Sequence, residues 1–479
     1  KSIKILQKKW KLHLMKKINL GQKEIIHFVG IGGIGMSGLA QIMKNMGFNI
    51  QGSDQIKNKN IMNCIKLGIK VFIGHSKKNL KNSKILVKSS AIKNNNNEIK
   101  FAKIKKIPIY SRAEVLADVV SLKKNIIVTG SHGKTTTTSL IGKILFDQKL
   151  DPTIINGGVI NSFRNNAKLG KGDWAILEAD ESDGSFLKLP INYSIVTNID
   201  FEHIEYYKKF KNLEYSFRRF IEKTPPTGKS IICIDNPHIR RFYKKLKNKN
   251  ILTYGESKDA NFKISNIRYN LEYSIFDLNY KNNKSKIVKL KKIHVKLLGK
   301  HNVLNAAAAV AVCLNLGVDQ NVIKKSLRKF TGVQRRMTKI FSKNSNDFYD
   351  DYAHHPTEIK SILNGIKNVN KSRKIISIFE PHRYSRVLSL KKEFATSFKN
   401  SDLVILCPLY AAGEKKDGKY NQLHFAKLIT KMSDTQVIQI KNHIELKKYL
   451  KKNLVSDELI IGMGAGLISK WMEELKRYL

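Results

Sequence analysis

The octet Thr129-Gly130-Ser131-His132-Gly133-Lys134-Thr135-Thr136 puts two glycines, a lysine and a run of hydroxyls into one short stretch. Such residues suit phosphate. Glycines let successive backbone N–H groups turn toward anionic oxygens, and a following helix N-terminus adds partial positive charge. Lys134 can reach the β- and γ-phosphates of a nucleotide, and Thr135 can offer its hydroxyl to Mg²⁺. The spacing departs from the general GxxxxGK[ST] form, because only Ser131 and His132 separate Gly130 from Gly133. The segment is expected to cradle the phosphates of a nucleotide through Gly130, Ser131, His132, Gly133, Lys134, Thr135 and Thr136.

Further residues support that chemistry. Trp174–Asp180 (WAILEAD) leads into Glu178, Asp180, Glu181 and Asp183, and Tyr193–Asn198 (YSIVTN) leads into Asp200, Glu202 and His203. Carboxylates at the carboxyl ends of strands beside a phosphate loop lie where a nucleotide metal needs oxygen ligands. A second glycine set, Gly30, Gly32, Gly33 and Gly35, fits GxGxxG directly after an apolar run, with Asp54 ending the next one. That pattern brings a diphosphate close to the backbone, whether of a dinucleotide or of another nucleotide. Near the C-terminus stand Asp350-Asp351-Tyr352-Ala353-His354-His355-Pro356 and Pro381-His382-Arg383-Tyr384-Ser385-Arg386. If the latter begins a helix, Arg383 and Arg386 share a face and can grip a small carboxylate.

These residues need elements to carry them. Ile25–Gly30 reads as a buried strand and Met36–Met46 as a helix. A strand ends near Asp54, and "IKVFIG" and "KILVKSS" supply two more. The alternation implies a parallel sheet covered by helices. A second such unit starts with the strand Asn125–Gly130, includes Ser230–Ile234 and closes on the helix Asn302–Leu316. Its stretch Asn261–Val295 alternates as antiparallel hairpins around "KNNKSK". Beyond a boundary near Phe330–Arg336, strands at Ile375–Phe379, Asp402–Cys407 and Glu458–Gly462 mark a third α/β unit. The expected architecture is α/β with three domains. They are a Rossmann-like N-terminal domain over 24–120, a central P-loop ATPase-like domain with an added antiparallel β portion over 121–334, and a Rossmann-like C-terminal domain over 335–479. A basic extension, 1–23, precedes them.

The 479 residues carry 88 Lys plus Arg against 38 Asp plus Glu, a net charge of +50. The basic residues run along the whole chain beside abundant Asn and Ile. They form no aromatic-rich basic module, which argues against a dedicated nucleic-acid binder. Cys64, Cys233, Cys313 and Cys407 form no CxxC pair, so neither a zinc site nor a disulfide framework is expected. No apolar stretch reaches the ~18 residues of a membrane span, and no membrane partner is expected.

Six segments in this order resemble the Mur ligases of peptidoglycan synthesis. They are His27–Gly38, the phosphate loop, Glu178–Asp183, Gly299–Asn302, Asp351–Pro356 and Pro381–Tyr384. The resemblance runs from about Ile25 to the C-terminus. It implies a cytoplasmic, ATP-dependent ligase that joins L-alanine to the carboxylate of UDP-N-acetylmuramate through an acyl phosphate. Its partners are then ATP, UDP-N-acetylmuramate and L-alanine, with no nucleic acid, and its assembly a monomer or homodimer. Under the same resemblance Gly30, Gly32, Gly33 and Gly35 contact the UDP-sugar diphosphate, with Asp54 and His75 near the uridine. Lys134 holds the ATP phosphates. Thr135 and Glu178 bind one Mg²⁺, and Glu178 and His203 a second. Asn302 faces the adenine, Asp351 the ribose, and Arg335 or Arg336 the phosphates. Tyr352, Arg383 and Arg386 bracket L-alanine, and Lys134, Glu178, His203 and Arg383 carry catalysis. Ser131 stands where the family commonly has Thr, Leu298 where a Pro is frequent, and Glu380 where Gln is usual. The alternatives are a sister ligase that attaches a preformed peptide, an NAD-dependent oxidoreductase built on the first glycine set, and a basic nucleic-acid-binding protein.

Overall fold

A computed structural model describes residues 24–161, 165–247, 250–282, 285–370 and 372–479. The basic extension 1–23 lies outside them. Contacts divide the described residues into two compact units, those up to 262 with 308–323, and those of 263–307 with 324–479.

The first unit opens with five strands, β1 (Ile25–Val29), β2 (Asn49–Asp54), β3 (Lys70–Ile73), β4 (Ser83–Lys88) and β5 (Ile109–Ser111). They order as β3-β2-β1-β4-β5, and every neighbouring pair is parallel. Ile26, Phe28 and Val29 are fully buried, as a central strand covered on both faces requires. Helix Ile34–Asn45 follows β1, so its N-terminus stands at the carboxyl end of the sheet, just behind Gly30–Gly33.

The same unit continues with β6 (Lys124–Thr129), β7 (Thr153–Ile160), β8 (Asn165–Lys168), β9 (Trp174–Glu178), β10 (Tyr193–Val196), β11 (Lys229–Cys233) and β12 (Ile251–Gly255). Their order is β12-β11-β10-β6-β9-β7-β8. All pairs are parallel except β7–β8. The chain leaves β6 toward β7 on one side and leaves β9 toward β10 on the other. The β6 end is therefore a switch point, where open α/β sheets bind ligands. The hairpin β7–β8 also reaches the first sheet's helix. Asn166 Nδ2 donates to the Ile34 carbonyl at 2.6 Å, and Asn165 Nδ2 to Gln41 Oε1 at 3.0 Å.

The second unit holds the expected hairpins, β13 (Phe262–Tyr269), β14 (Ser274–Lys281) and β15 (Ile287–Val295); β14 and β15 are antiparallel. Its main sheet uses β16 (Thr338–Lys343), β17 (Asn346–Asp351), β18 (Lys374–Phe379), β19 (Leu403–Leu406), β20 (Gln436–Gln439) and β21 (Glu458–Met463). The order is β16-β17-β21-β18-β19-β20, parallel apart from the β16–β17 hairpin. Helix Pro356–Val369 starts where local chemistry dictates. Pro356 opens it, and His355 and Glu358 close a reciprocal capping pair. The three-sheet α/β architecture is the one anticipated. Among the described residues no helix is long and apolar enough to cross a membrane.

Candidate active site

The phosphate loop bridges β6 and helix Lys134–Asp147, with Gly133 as N-cap at φ +83°. Gly130 has φ +131°, and a Cβ there would meet Thr197 Oγ1 at 2.1 Å, so only glycine fits. The segment after β10 braces the loop from the side. The Ser131 N–H donates to the Asn198 carbonyl (3.1 Å) and the His132 N–H to Asn198 Oδ1 (2.8 Å). Ser131 Oγ accepts the Asp200 N–H (2.8 Å), a role that needs only a hydroxyl, so Ser131 serves where Thr is common. His132 Nε2 lies 3.0 Å from Asp200 Oδ2.

Lys134 Nζ donates to the carbonyls of Gly130 (2.6 Å) and Ser131 (3.2 Å) and to both oxygens of Glu181 (3.1 and 2.9 Å). Burial opposes the ammonium charge, but Glu181, Asp180 and Glu178 outweigh it and push the pKa above the ordinary lysine value. Lys134 is thus a fixed cation at the helix N-terminus. Thr135 Oγ1 donates to Glu178 Oε1 at 3.1 Å, and the Gly157 N–H donates to Glu178 Oε2 at 2.6 Å. A Cβ at Gly157 would stand 2.5 Å from Glu178 Oε1 and would push the carboxylate out of this position. His203, at φ +57°, places Nε2 3.5 Å from Glu181 Oε1. Asp180, Glu181 and His203 bring ligand atoms within 4.8 Å of one another.

Lys134, Thr135, Glu178 and His203 therefore gather at one sheet end. Two participants escaped the sequence reading. Glu181 was one acid among several there, yet it is the fully buried partner of Lys134. Gly157 carried no signal at all, because its importance comes from β7 lying beside β9.

In the first sheet Gly30 takes φ +80°, and Asp54 Oδ2 accepts the Gly32 N–H at 2.8 Å. Asp54 thus shapes the glycine turn directly. His75 sits in a polar cluster with Ser53 (3.0 Å) and Glu98 (3.2 Å). It lines a groove of ≈ 400 Å³ with Gln55, Gly74, Asn95, Asn96 and Asn97. Burial opposes ionisation of Glu98, but His27, 3.6 Å away, and hydrogen bonds from Ser53 and Asn79 hold its pKa down at about 2.

In the second unit the Arg335 guanidinium stacks over Tyr352 at 4.7 Å and donates to the Gly464 carbonyl at 2.6 Å. Arg336 also lies over Tyr352, at 5.5 Å. Asp351 accepts the N–H groups of Met337 and Ala353, each at 2.7 Å, and burial raises its pKa to about 6. Asn302 is buried and donates through Nδ2 to the Leu298 carbonyl at 2.8 Å. Leu298 packs into the core of this unit, so an apolar side chain suits the position. Glu380, where Gln is usual, accepts the N–H groups of Gly466, Leu467 and Ile468 at the start of helix Ile468–Tyr478.

The arginine pair needs a correction. Arg383 and Arg386 do not share a helix face. The helix begins at Tyr384, and Arg383 is its N-cap at φ +68°, ψ 131°. Its N–H donates to the Tyr410 carbonyl (2.9 Å) rather than within a helix, and Arg383 stays outside helical geometry. Arg386 lies on the helix, 3.2 Å from His382 Nδ1. His382 is itself new to the site. Burial and the neighbouring His354, Arg386, Arg383 and Arg335 drive its pKa down to about 3.

A braced glycine loop carrying a buried lysine, at the switch point of a parallel sheet, defines an α/β enzyme that works on nucleotide phosphates. Comparison with known proteins narrows the class. Residues 25–124 match the Mur ligase family, catalytic domain; 128–313 match the Mur ligase middle domain; and 335–466 match the Mur ligase, glutamate ligase domain. UDP-N-acetylmuramate--L-alanine ligase of Pelagibacter ubique is 54% identical over 459 residues, 96% of this chain and 99% of that relative. Its counterpart in Agrobacterium fabrum is 40% identical over 452 residues, 94% and 96% of the two chains. The crystal structure of UDP-N-acetylmuramate-alanine ligase from Thermotoga maritima superposes with a TM-score of 0.79 at 27% identity, covering 95% of this chain and 98% of that one. The chain belongs to the Mur ligase family, and with it to the ATP-dependent enzymes that form amide bonds.

Proposed function

We propose that this chain joins L-alanine to the carboxylate of UDP-N-acetylmuramate at the cost of ATP, in the synthesis of peptidoglycan precursor. The observation that carries the reading is the 54% identity over 96% of the chain with a relative of that name. The Lys134–Glu181 and Thr135–Glu178 geometry supplies its chemistry. The labour divides among residues 24–120 for the sugar nucleotide, 121–334 for ATP, and 335–479 for the amino acid.

A carboxylate resists amine attack because its leaving group would be oxide. The muramoyl carboxylate oxygen therefore attacks the γ-phosphorus of ATP, and ADP leaves. The resulting acyl phosphate is attacked by the alanine amine, and phosphate departs as the amide forms. The loop N–H groups and the Lys134 ammonium hold the transferring phosphoryl group, with Ser131, His132 and Thr136 shaping the cradle. Glu181 keeps the Lys134 ammonium at the loop, where its charge can stabilise the transferring phosphoryl group. Tyr352, Arg383 and Arg386 receive the alanine carboxylate. Arg335 and Asp351 serve the nucleotide, and Asn302 its base.

The hydroxyl and carboxylates fit Mg²⁺ as hard oxygen ligands, and His203 adds one nitrogen donor. Thr135 and Glu178 would hold one ion, and Glu178 and His203 a second, with Asp180 and Glu181 alongside. When bound, the metal neutralises phosphate charge. Glu178 is pre-aimed for this by the Gly157 N–H.

The test is phosphate release from enzyme, ATP, Mg²⁺ and UDP-N-acetylmuramate, with free L-alanine or a tripeptide as acceptor. Release that requires both the sugar nucleotide and alanine is expected. Release that ignores the sugar nucleotide refutes the reading, and preference for the tripeptide assigns the chain to the sister activity.

A further inference from the structure

After β21 the chain turns back on itself at Gly464, and one buried carboxylate holds the turn. Glu380 follows β18, which runs beside β21, and its own N–H donates to the Met463 carbonyl at 2.9 Å. The residue is 2% exposed. Its side chain reaches the N–H groups just past the turn. Oε2 accepts from Gly466 at 3.0 Å and from Ile468 at 3.4 Å, and Oε1 accepts from Leu467 at 2.9 Å. Hydrogen bonds to a charged group are the stronger kind, and a buried carboxylate without them is costly, so turn and carboxylate fix each other.

Gly464 packs on the same residue. It has φ +155°, and a Cβ there would meet Glu380 Cβ and the Glu380 carbonyl oxygen at 3.0 Å each. Glycine lets the backbone lie directly on Glu380. That contact sets where the Gly464 carbonyl points, and the carbonyl accepts Arg335 Nη2 at 2.6 Å. The Arg335 backbone is fixed separately, at φ +61° with its carbonyl accepting the Tyr352 N–H at 2.8 Å. Its guanidinium lies over the Tyr352 ring at 4.7 Å, with Nε 3.7 Å from Asp350 Oδ2. Asp350 is in turn tied to Ser469 Oγ, one residue past Ile468, at 2.7 and 2.8 Å. Among the described residues the bond to Gly464 is the guanidinium's one hydrogen bond, and Nη1 has none. The guanidinium is thus held by one face and one N–H, and keeps further donors for an anion.

We infer that Glu380 is a positioning residue for Arg335: by holding the 464–468 turn it aims the Gly464 carbonyl, which orients the guanidinium for the nucleotide phosphates. This rests on the nucleotide reading of Arg335 above. A carboxylate suits the task, since it brings two acceptor oxygens to three N–H groups where an amide brings one.

The test measures phosphate release by the full chain, with ATP varied and UDP-N-acetylmuramate, L-alanine and Mg²⁺ saturating. Glu380→Ala should lower kcat/KM for ATP roughly tenfold and leave the KM for L-alanine within about twofold of wild type. The same substitution in an Arg335→Ala background should change kcat/KM for ATP by less than about twofold, because one residue acting through another is not additive with it. A folded Glu380→Ala whose kcat/KM for ATP stays within about twofold of wild type overturns the inference. An equal loss in both backgrounds, or a loss confined to the KM for L-alanine, also overturns it. Should Glu380→Ala fail to fold, as judged by melting, Gly464→Ala presses a Cβ onto Glu380 from the other side. It must then show the same loss and the same dependence on Arg335, and the inference falls if it does not. Arg335→Ala with an unchanged kcat/KM for ATP refutes the nucleotide reading of Arg335 instead.

Discussion

Replacing Lys134 with Met keeps the length of the side chain and removes the ammonium. Nζ has four oxygens within hydrogen-bond distance of its three N–H groups, two of Glu181 and two of loop carbonyls. The Glu181 side chain is 0% exposed and that of Lys134 15%, so the substitution strands a buried carboxylate. Breaking a buried pair from one side costs about 3–5 kcal/mol. The lower end applies, since His203 Nε2 remains 3.5 Å from Glu181 and can take up part of the charge. The expected loss of unfolding free energy is therefore about 3 kcal/mol. The catalytic loss has a separate origin, the charge developing on the phosphoryl group. Removing one such donor costs about 3 kcal/mol, or roughly two orders of magnitude in kcat. Phosphate release at saturating substrates and urea unfolding measure the two effects independently. Lys134→Arg separates them further. A guanidinium can restore the pair with Glu181 but not a point charge with the same reach, so stability should return while turnover does not. If Lys134→Met turned over within about fivefold of wild type while losing stability, the lysine would be a structural ion-pair partner alone and the phosphate argument would fail.

Two further expectations follow from distances and charges. Gly157→Ala drives a Cβ against the Glu178 carboxylate and removes its alignment with the Gly157 N–H. The Mg²⁺ concentration for half-maximal activity should rise roughly tenfold, and an unchanged requirement would exclude Glu178 as a metal ligand. Asp351, raised by burial from 3.8 to about 6, is protonated more readily in the folded chain than in the unfolded one. Stability from this group is therefore present below about pH 4 and is lost as pH rises through 6. The difference amounts to roughly 3 kcal/mol. Unfolding measured from pH 4 to 7 should show that decline in wild type and not in Asp351→Asn; identical profiles would remove Asp351 as its source.

The sequence alone determined what depends on near neighbours. Glycines and a lysine between an apolar strand and a helix make a phosphate loop, because positive-φ turns and helix N-termini are local properties. Pro356 with Glu358 starts a helix for the same reason. Runs such as IIHFV announce buried parallel strands, and the order of such runs announces α/β domains. Tertiary structure decided the pairings. Lys134 chooses Glu181, 47 residues away, over the other acids nearby, and His132 meets Asn198 across 66 residues. Gly157 aligns Glu178 only because β7 neighbours β9. Asp54 serves the glycine turn, Arg383 leaves the helix that its spacing suggests, and Glu98 stands behind His75. Each of these depends on strand order and register. Residue type and periodicity state which side chains could pair, whereas the folded sheet brings one partner within about 3 Å and leaves its rivals in solvent, where an ion pair contributes little.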